Sequence, residues 1–234
     1  FLGHANLRNY VYGLISPHYP IRSMGGVTHC TDNMDEQTKE GRRAEIEAAA
    51  YKMLADRGYG GMSMLAVAKA AGASNETLYR WYGDKAGLVS AMIAGNAAAV
   101  LVQLQALADA PQPLEQELHS VGDALLRLLV GERSVALNRA AAADASGALG
   151  AKLAEGGRDL VMPKLAAMLA RHKLDGDAAA GCFLALLLGD WPMRRVIAVM
   201  AMPDETVLTA RVTEAVERFI ALVRRDFFKI RKET

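Results

Sequence analysis

The chain has 234 residues, 52% of them hydrophobic and only 6% aromatic, and carries a net charge of +1. That composition suffices for a sizeable core and excludes wholesale disorder; Ala and Leu outweigh β-branched runs, so an all-α fold is expected. The near-neutral charge neither announces nor excludes a nucleic-acid partner, because specific DNA binders concentrate their charge on one small face.

Residues 1–33 mix Gly, Pro, His and Asn without helical periodicity, and 1–37 read as a poorly ordered N-terminal extension, such as a translated upstream region. His4, His18, His29 and Cys30 fall here at spacings that match no metal site. Cys30 and Cys182 lie far apart and read as free thiols in a reducing compartment, so a cytoplasmic location is expected. No run of about 18 or more apolar residues occurs, so no membrane span is expected.

From residue 38 the pattern becomes helical. Ile46, Ala49, Ala50, Met53 and Leu54 fall at i, i+3, i+4, i+7 and i+8, one face of a helix over 38–57 that Gly58 stops. Ser63 is a good N-cap for a short helix that turns Val67, Ala68 and Ala71 inward and ends at Gly72. Ser74 caps a second short helix carrying Leu78, Tyr79 and Tyr82, and Gly83 ends it. Asp84 caps the next, which runs from Lys85 through Leu107.

Pro111 and Pro113 break the chain, and a new helix starts near Pro113 with Leu114, Leu118, Val121, Leu125, Leu128 and Leu129 at helical spacing. Gly131 interrupts. Two more helices are expected over 132–145 and 149–172, the second weakened by Gly156-Gly157 and kinked or restarted at Pro163. Asp177 is expected to cap a long apolar helix to about Met200, and Pro203-Asp204 to open the last helix. That helix puts Val212, Val216, Phe219, Ile220 and Val223 on one stripe, and its basic continuation from Arg224 to Lys232 is expected to fray.

The informative block is residues 42–92. Two very short helices joined by Ala71-Gly72-Ala73-Ser74 make the pattern of a helix-turn-helix. Val67, Ala68, Ala71 and Leu78 close the pair against the first helix. The outer face of residues 74–82 is left to enter a major groove.

The string RRAEIEAAAYKMLADRGYGGMSMLAVAKAAGASNETLYRWYGDKAGLVSAM resembles the TetR/AcrR family of transcription regulators. The resemblance rests on Gly58-Tyr59, Ser63, Val67-Ala68, Ala71-Gly72-Ala73-Ser74, Leu78-Tyr79, Tyr82, Lys85 and Leu88, in order and at the family's spacing. It implies a three-helix DNA-binding head over 38–98 and a helical ligand-binding and dimerisation domain over 99–234. It also implies that Ser63, Ser74, Asn75, Glu76, Thr77, Tyr79, Arg80 and Trp81 lie on or near the DNA, with Tyr79 on the backbone and Lys85 on a phosphate. The chemistry agrees. Lys is a mobile point charge at a helix N-terminus, while Asn75 suits adenine and Arg80 suits guanine. Glu76 would repel phosphate unless it turns away or reads a cytosine amino group. Leu65 and Ala66 stand where the family often has polar residues.

Downstream, ERSVALNRAAAADAS and FLALLLGDWPMRRVI look like the C-terminal domain of the AefR-like subgroup. The resemblance implies a homodimer built by the last two long helices, and Val212, Val216, Phe219, Ile220 and Val223 are the candidate contact stripe. It also implies a small apolar or amphipathic effector, with Met162, Met168, Phe183, Trp191, Met193 and Arg194 as candidate pocket residues. The expected activity is repression of an operator, relieved by that effector. No cofactor or metal is called for. No Glu-x-x-His pair, phosphate loop or nucleophile set points to an enzyme, and His119 and His172 read as isolated surface residues. Residues 38–98 carry eight basic and six acidic side chains, a net of only +2. With Glu76 and Leu65, that modest charge leaves a second reading open: a helical ligand-binding or interaction module whose head no longer binds DNA.

Overall fold

The computed structural model of the chain describes residues 31–228, with side chains from residue 38 onward. His4, His18, His29 and Cys30 lie outside the described residues. Within them every regular element is helical. Packing divides the chain into two units between Ala94 and Gly95, ahead of the expected boundary at 98/99. No linker marks the change, because one long helix, Lys85–Asp109, runs through it.

Helix α1 spans Thr31–Gly61 and so begins seven residues before position 38. The segment from Thr31 to Glu40 holds no Gly or Pro to break a helix, and the last part of the expected extension is helical for that reason. Gly58, at φ 67° and ψ 178°, ends the regular part of α1 where the sequence places the stop. A side chain at that position would strain the backbone.

Helix α2 is Met64–Ala70, α3 is Asn75–Tyr82 and α4 is Lys85–Asp109. Ile46, Ala50, Met53 and Leu54 of α1 are buried with Val67 and Ala68 of α2, Leu78 of α3, and Leu88, Val89 and Met92 of α4. The buried Tyr51 hydroxyl donates to the Met92 carbonyl at 2.8 Å, tying α1 to the first turns of α4. By length and composition α4 could cross a membrane, which corrects the expectation that no segment qualifies. It passes because many Ala residues add to scattered Leu, Val, Ile and Met without forming an unbroken bulky run, and over half of that stretch is buried as in a core helix.

The second unit contains the rest of α4 and α5 (Leu114–Val130), α6 (Glu132–Ala143), α7 (Ala148–Leu153), α8 (Asp159–Ala170), α9 (Gly176–Leu188), α10 (Trp191–Val196) and α11 (Glu205–Arg224). Its core gathers Leu118, Val121, Leu125 and Leu126 of α5 with Leu165, Met168 and Leu169 of α8, Phe183 and Leu187 of α9, and Val212, Val216 and Phe219 of α11. Phe183 meets Phe219 edge-on with centroids 5.5 Å apart. A Cβ on Gly122 of α5 would lie 3.2 Å from the Phe183 ring and 3.3 Å from Val212, so the missing side chain lets three helices approach.

The structure corrects several sequence expectations here. The helix expected over 149–172 is divided by a wider π turn at Ala154–Arg158, which contains Gly156-Gly157 and lies just before the Pro163 turn. The long helix expected to reach Met200 breaks at Gly189, whose φ is 50°, and its cap is Asp175, whose side chain accepts from the Ala178 N–H, rather than Asp177. Asp204 caps α11 by accepting from the Val207 N–H at 2.9 Å. The tail is pinned through residue 228. The Phe228 ring stacks on Phe219 at 5.3 Å, and its carbonyl accepts from the Asp175 N–H at 2.8 Å. The buried Phe228 side chain holds the basic segment to that point, and residues 229–232 lie outside the described residues.

Candidate nucleic-acid interface

Each short helix of the head is fixed at its start by a hydroxyl. Ser63 Oγ accepts from the Ala66 N–H at 3.2 Å and Ser74 Oγ accepts from the Thr77 N–H at 3.0 Å. The Thr77 hydroxyl lies 2.9 Å from Ser74 Oγ, so Thr77 reinforces the cap. Between the helices Gly72 turns the chain at φ 59°, and an Arg42 guanidinium N–H donates to its carbonyl. These bonds satisfy backbone groups that would otherwise be orphaned at two helix ends in close succession.

Leu78 is fully buried and anchors α3 from below. Asn75, Glu76, Tyr79 and Arg80, at i, i+1, i+4 and i+5, are exposed on the other face. Tyr79 is 51% exposed, a large aromatic side chain turned to solvent. Thr77, Trp81 and Tyr82 are half-buried on the flanks. The Trp81 ring carries the Arg43 guanidinium 5.5 Å from its centroid. Glu76 stands in the first turn of α3, where the helix dipole favours a carboxylate, so it has a structural reason to be there.

The start of α4 is equally defined. Gly83 closes α3 at φ 74°, and Asp84 Oδ1 accepts from the Gly87 N–H at 2.7 Å. Gly87 admits no side chain, because a Cβ would sit 1.9 Å from the Tyr82 carbonyl oxygen. Lys85 follows the cap directly, half-buried, its Nζ 4.0 Å from the centre of the Tyr59 ring. Burial pushes its ammonium pKa below the ordinary lysine value.

Two family descriptions match this chain: bacterial regulatory proteins, tetR family, over residues 46–92, and AefR-like transcriptional repressor, C-terminal domain, over residues 116–223. The chain belongs to the TetR family of bacterial regulators. The first match covers the helix-turn-helix and its braces, and the two together span about two thirds of the chain. Solved structures agree. A protein from Mesorhizobium loti assigned to the TetR-family regulators is 25% identical with a TM-score of 0.63, covering 78% of this chain and 96% of its own. A TetR transcriptional regulator from Agrobacterium tumefaciens is 27% identical with a TM-score of 0.59, covering 77% and 93%. The transcriptional regulator FadR from Bacillus subtilis, solved with stearoyl-CoA, shares the fold at 17% identity and a TM-score of 0.59, covering 76% and 97%. No curated protein sequence matches significantly.

The TetR-type C-terminal unit places its candidate residues unevenly. Met168 and Phe183 are fully buried core, Met162 and Trp191 are half-buried against that core, and Met193 and Arg194 are exposed on α10. Breaking the expected helix at Gly189 sends Met193 and Arg194 outward. Val212, Val216 and Phe219 are consumed by the chain's own core, which corrects their assignment to a contact stripe between subunits. Ile220 and Val223 are half-buried against that core.

Sequence reasoning also missed a buried polar cluster. Glu117 is wholly buried and accepts from Arg171 at 2.9 Å and from the Gln112 N–H at 3.1 Å, with His172 Nε2 at 2.8 Å. Burial alone would raise its pKa. The bonds from His172, Gln112 and Arg171 outweigh that, and its carboxyl is held below the ordinary value. His172 is thus a partner of a buried charge rather than an isolated surface residue. Arg195 is the mirror case. It is buried on α10, donates to the Val130 and Met200 carbonyls at 2.8 and 3.0 Å, and pairs with Glu132.

Proposed function

We propose that this chain is a cytoplasmic, dimeric DNA-binding transcription regulator, a repressor released from its operator by a small apolar or amphipathic molecule. The observation that carries this reading is the exposed face of α3, where Asn75, Glu76, Tyr79 and Arg80 stand opposite the buried Leu78. Asn75 and Arg80 read base edges, Tyr79 and Lys85 hold the backbone, and the Ser63, Ser74 and Thr77 hydroxyls, already ordered by the caps, sit at the helix N-termini that face phosphate. Trp81 flanks the reading face. In a homodimer two such helices enter successive major grooves about 34 Å apart, on a near-palindromic site.

A fold relative solved with stearoyl-CoA supports an amphipathic effector. Met162 and Trp191, half-buried beside the C-terminal core, suit its lining. Effector and operator oppose each other by a coupling of about 1–3 kcal/mol.

A gel-shift assay with DNA flanking the chain's own gene tests the reading. A salt-sensitive, sequence-selective shift, reversed by a long-chain acyl compound, supports it. If the folded protein binds the acyl compound but no DNA at low salt, the head is vestigial and the chain is a ligand-binding module.

A further inference from the structure

Lys85 has a flexible four-carbon stem and three rotatable donors, so an unsupported lysine loses much rotamer freedom when it grips a phosphate. Here the side chain is already placed. Gly58 turns the end of α1 out of its helical path at φ 67°, immediately before Tyr59. The Tyr59 ring then lies against the Lys85 ammonium at 4.0 Å, well within the range at which a ring face attracts a cation. Asp84 fixes the backbone from which Lys85 springs, through its 2.7 Å bond to the Gly87 N–H. Both ends of the lysine, Cα and Nζ, are therefore held by the head itself.

We infer that Tyr59 is a positioning residue for DNA: its ring holds the Lys85 ammonium at the N-terminus of α4, ready for a phosphate. The inference rests on the reading of Lys85 as a phosphate contact given above. It gives a role to a half-buried aromatic residue at the Gly58 bend. It also accounts for the partial burial of the Lys85 side chain. Tyr59 touches no DNA in this account and acts only through Lys85.

The test uses the full chain and a fluorescein-labelled duplex of mixed sequence, about 30 base pairs long, because phosphate contacts do not depend on sequence. Tyr59→Phe keeps the ring face. Pentafluorophenylalanine incorporated at position 59 keeps the ring's shape and removes the negative charge of its face. Each is measured by anisotropy in chains with Lys85 and with Lys85→Met, and melting scans confirm folding. The expected result is binding within about twofold of the parent for Tyr59→Phe. Fluorination weakens binding about two- to fivefold per head, or about four- to twenty-five-fold where both heads of a dimer engage. That loss vanishes with Lys85→Met. Equal affinity for the fluorinated and plain rings overturns the inference, as does a fluorination loss undiminished by Lys85→Met. If Lys85→Met alone leaves affinity and salt slope unchanged, the phosphate contact itself is wrong. If it weakens binding while fluorination does nothing, only the role of Tyr59 is wrong.

Discussion

Replacing Glu117 with Gln tests how the C-terminal unit holds its helices together. Glu117 lies in the first turn of α5, and its partners come from the end of α8 and from Gln112 before α5. Arg171 also donates to the Leu107 carbonyl near the end of α4 at 3.1 Å. An amide can keep its oxygen for Arg171 and the Gln112 N–H and turn its NH2 toward His172 Nε2, which must then accept; the loss is the carboxylate charge that pairs with Arg171. Charge-assisted bonds contribute about 1.5–3 kcal/mol each, and breaking a fully buried pair costs about 3–5 kcal/mol. Arg171 and His172 remain 32% and 23% exposed and regain water, which reduces the loss. We expect about 2–4 kcal/mol, or roughly 5–12 °C in Tm for a unit of this size. Urea unfolding at pH 7.5 followed by circular dichroism measures it.

The same pair carries a pH signature. A carboxyl whose folded pKa is depressed stabilises the fold above its unfolded value of about 4.5, and that stability is lost as pH falls through the folded pKa. The gap between parent and Glu117→Gln is therefore constant near neutrality and closes below about pH 4.5. A gap under about 0.5 kcal/mol at pH 7.5, or one that widens as acid is added, refutes the reasoning.

Other outcomes follow from single contacts. Ser74→Ala removes the cap of α3 and costs about 1 kcal/mol, seen as faster amide exchange across Asn75–Tyr82. Gly122→Val drives a side chain against Phe183 and Val212 and lowers stability by about 1–3 kcal/mol in thermal unfolding. Phe228→Ala opens a cavity beside Phe219 and costs about 3–5 kcal/mol by the same measurement. Lys85→Ala reduces the slope of log affinity against log salt by about one per head while leaving sequence preference intact.

Local signals carried the head. Gly58, Ser63, Gly72, Ser74, Gly83 and Asp84 each act on neighbours within four residues, and each does in the structure what its type favours. Leu78 was legible as core because its neighbours alternate at helical spacing. Arg42 on the Gly72 carbonyl and Arg43 on Trp81 were not legible. They join residues thirty and thirty-eight apart in sequence, and no periodicity encodes such pairs. The C-terminal unit was harder for a second reason. Nearly every helix there is rich in Ala and Leu, so apolar stripes say that a face is buried but not against what. Val212, Val216 and Phe219 show the consequence, since the same stripe serves an internal core or a subunit contact. Glu117, a single acidic residue in a first helical turn, carried no sign of the side chains that reach it from Arg171 and His172, more than fifty residues away.

The central claim is that α3 reads base edges. Selection of bound duplexes from a random pool, run in parallel for the parent chain, Asn75→Ala and Arg80→Ala, tests it most directly. The account predicts a two-fold symmetric motif for the parent. Each variant should relax one position per half-site, at a cost of about 1–3 kcal/mol for the preferred base. Recovery of no motif by the parent, or of an identical motif by all three proteins, contradicts it.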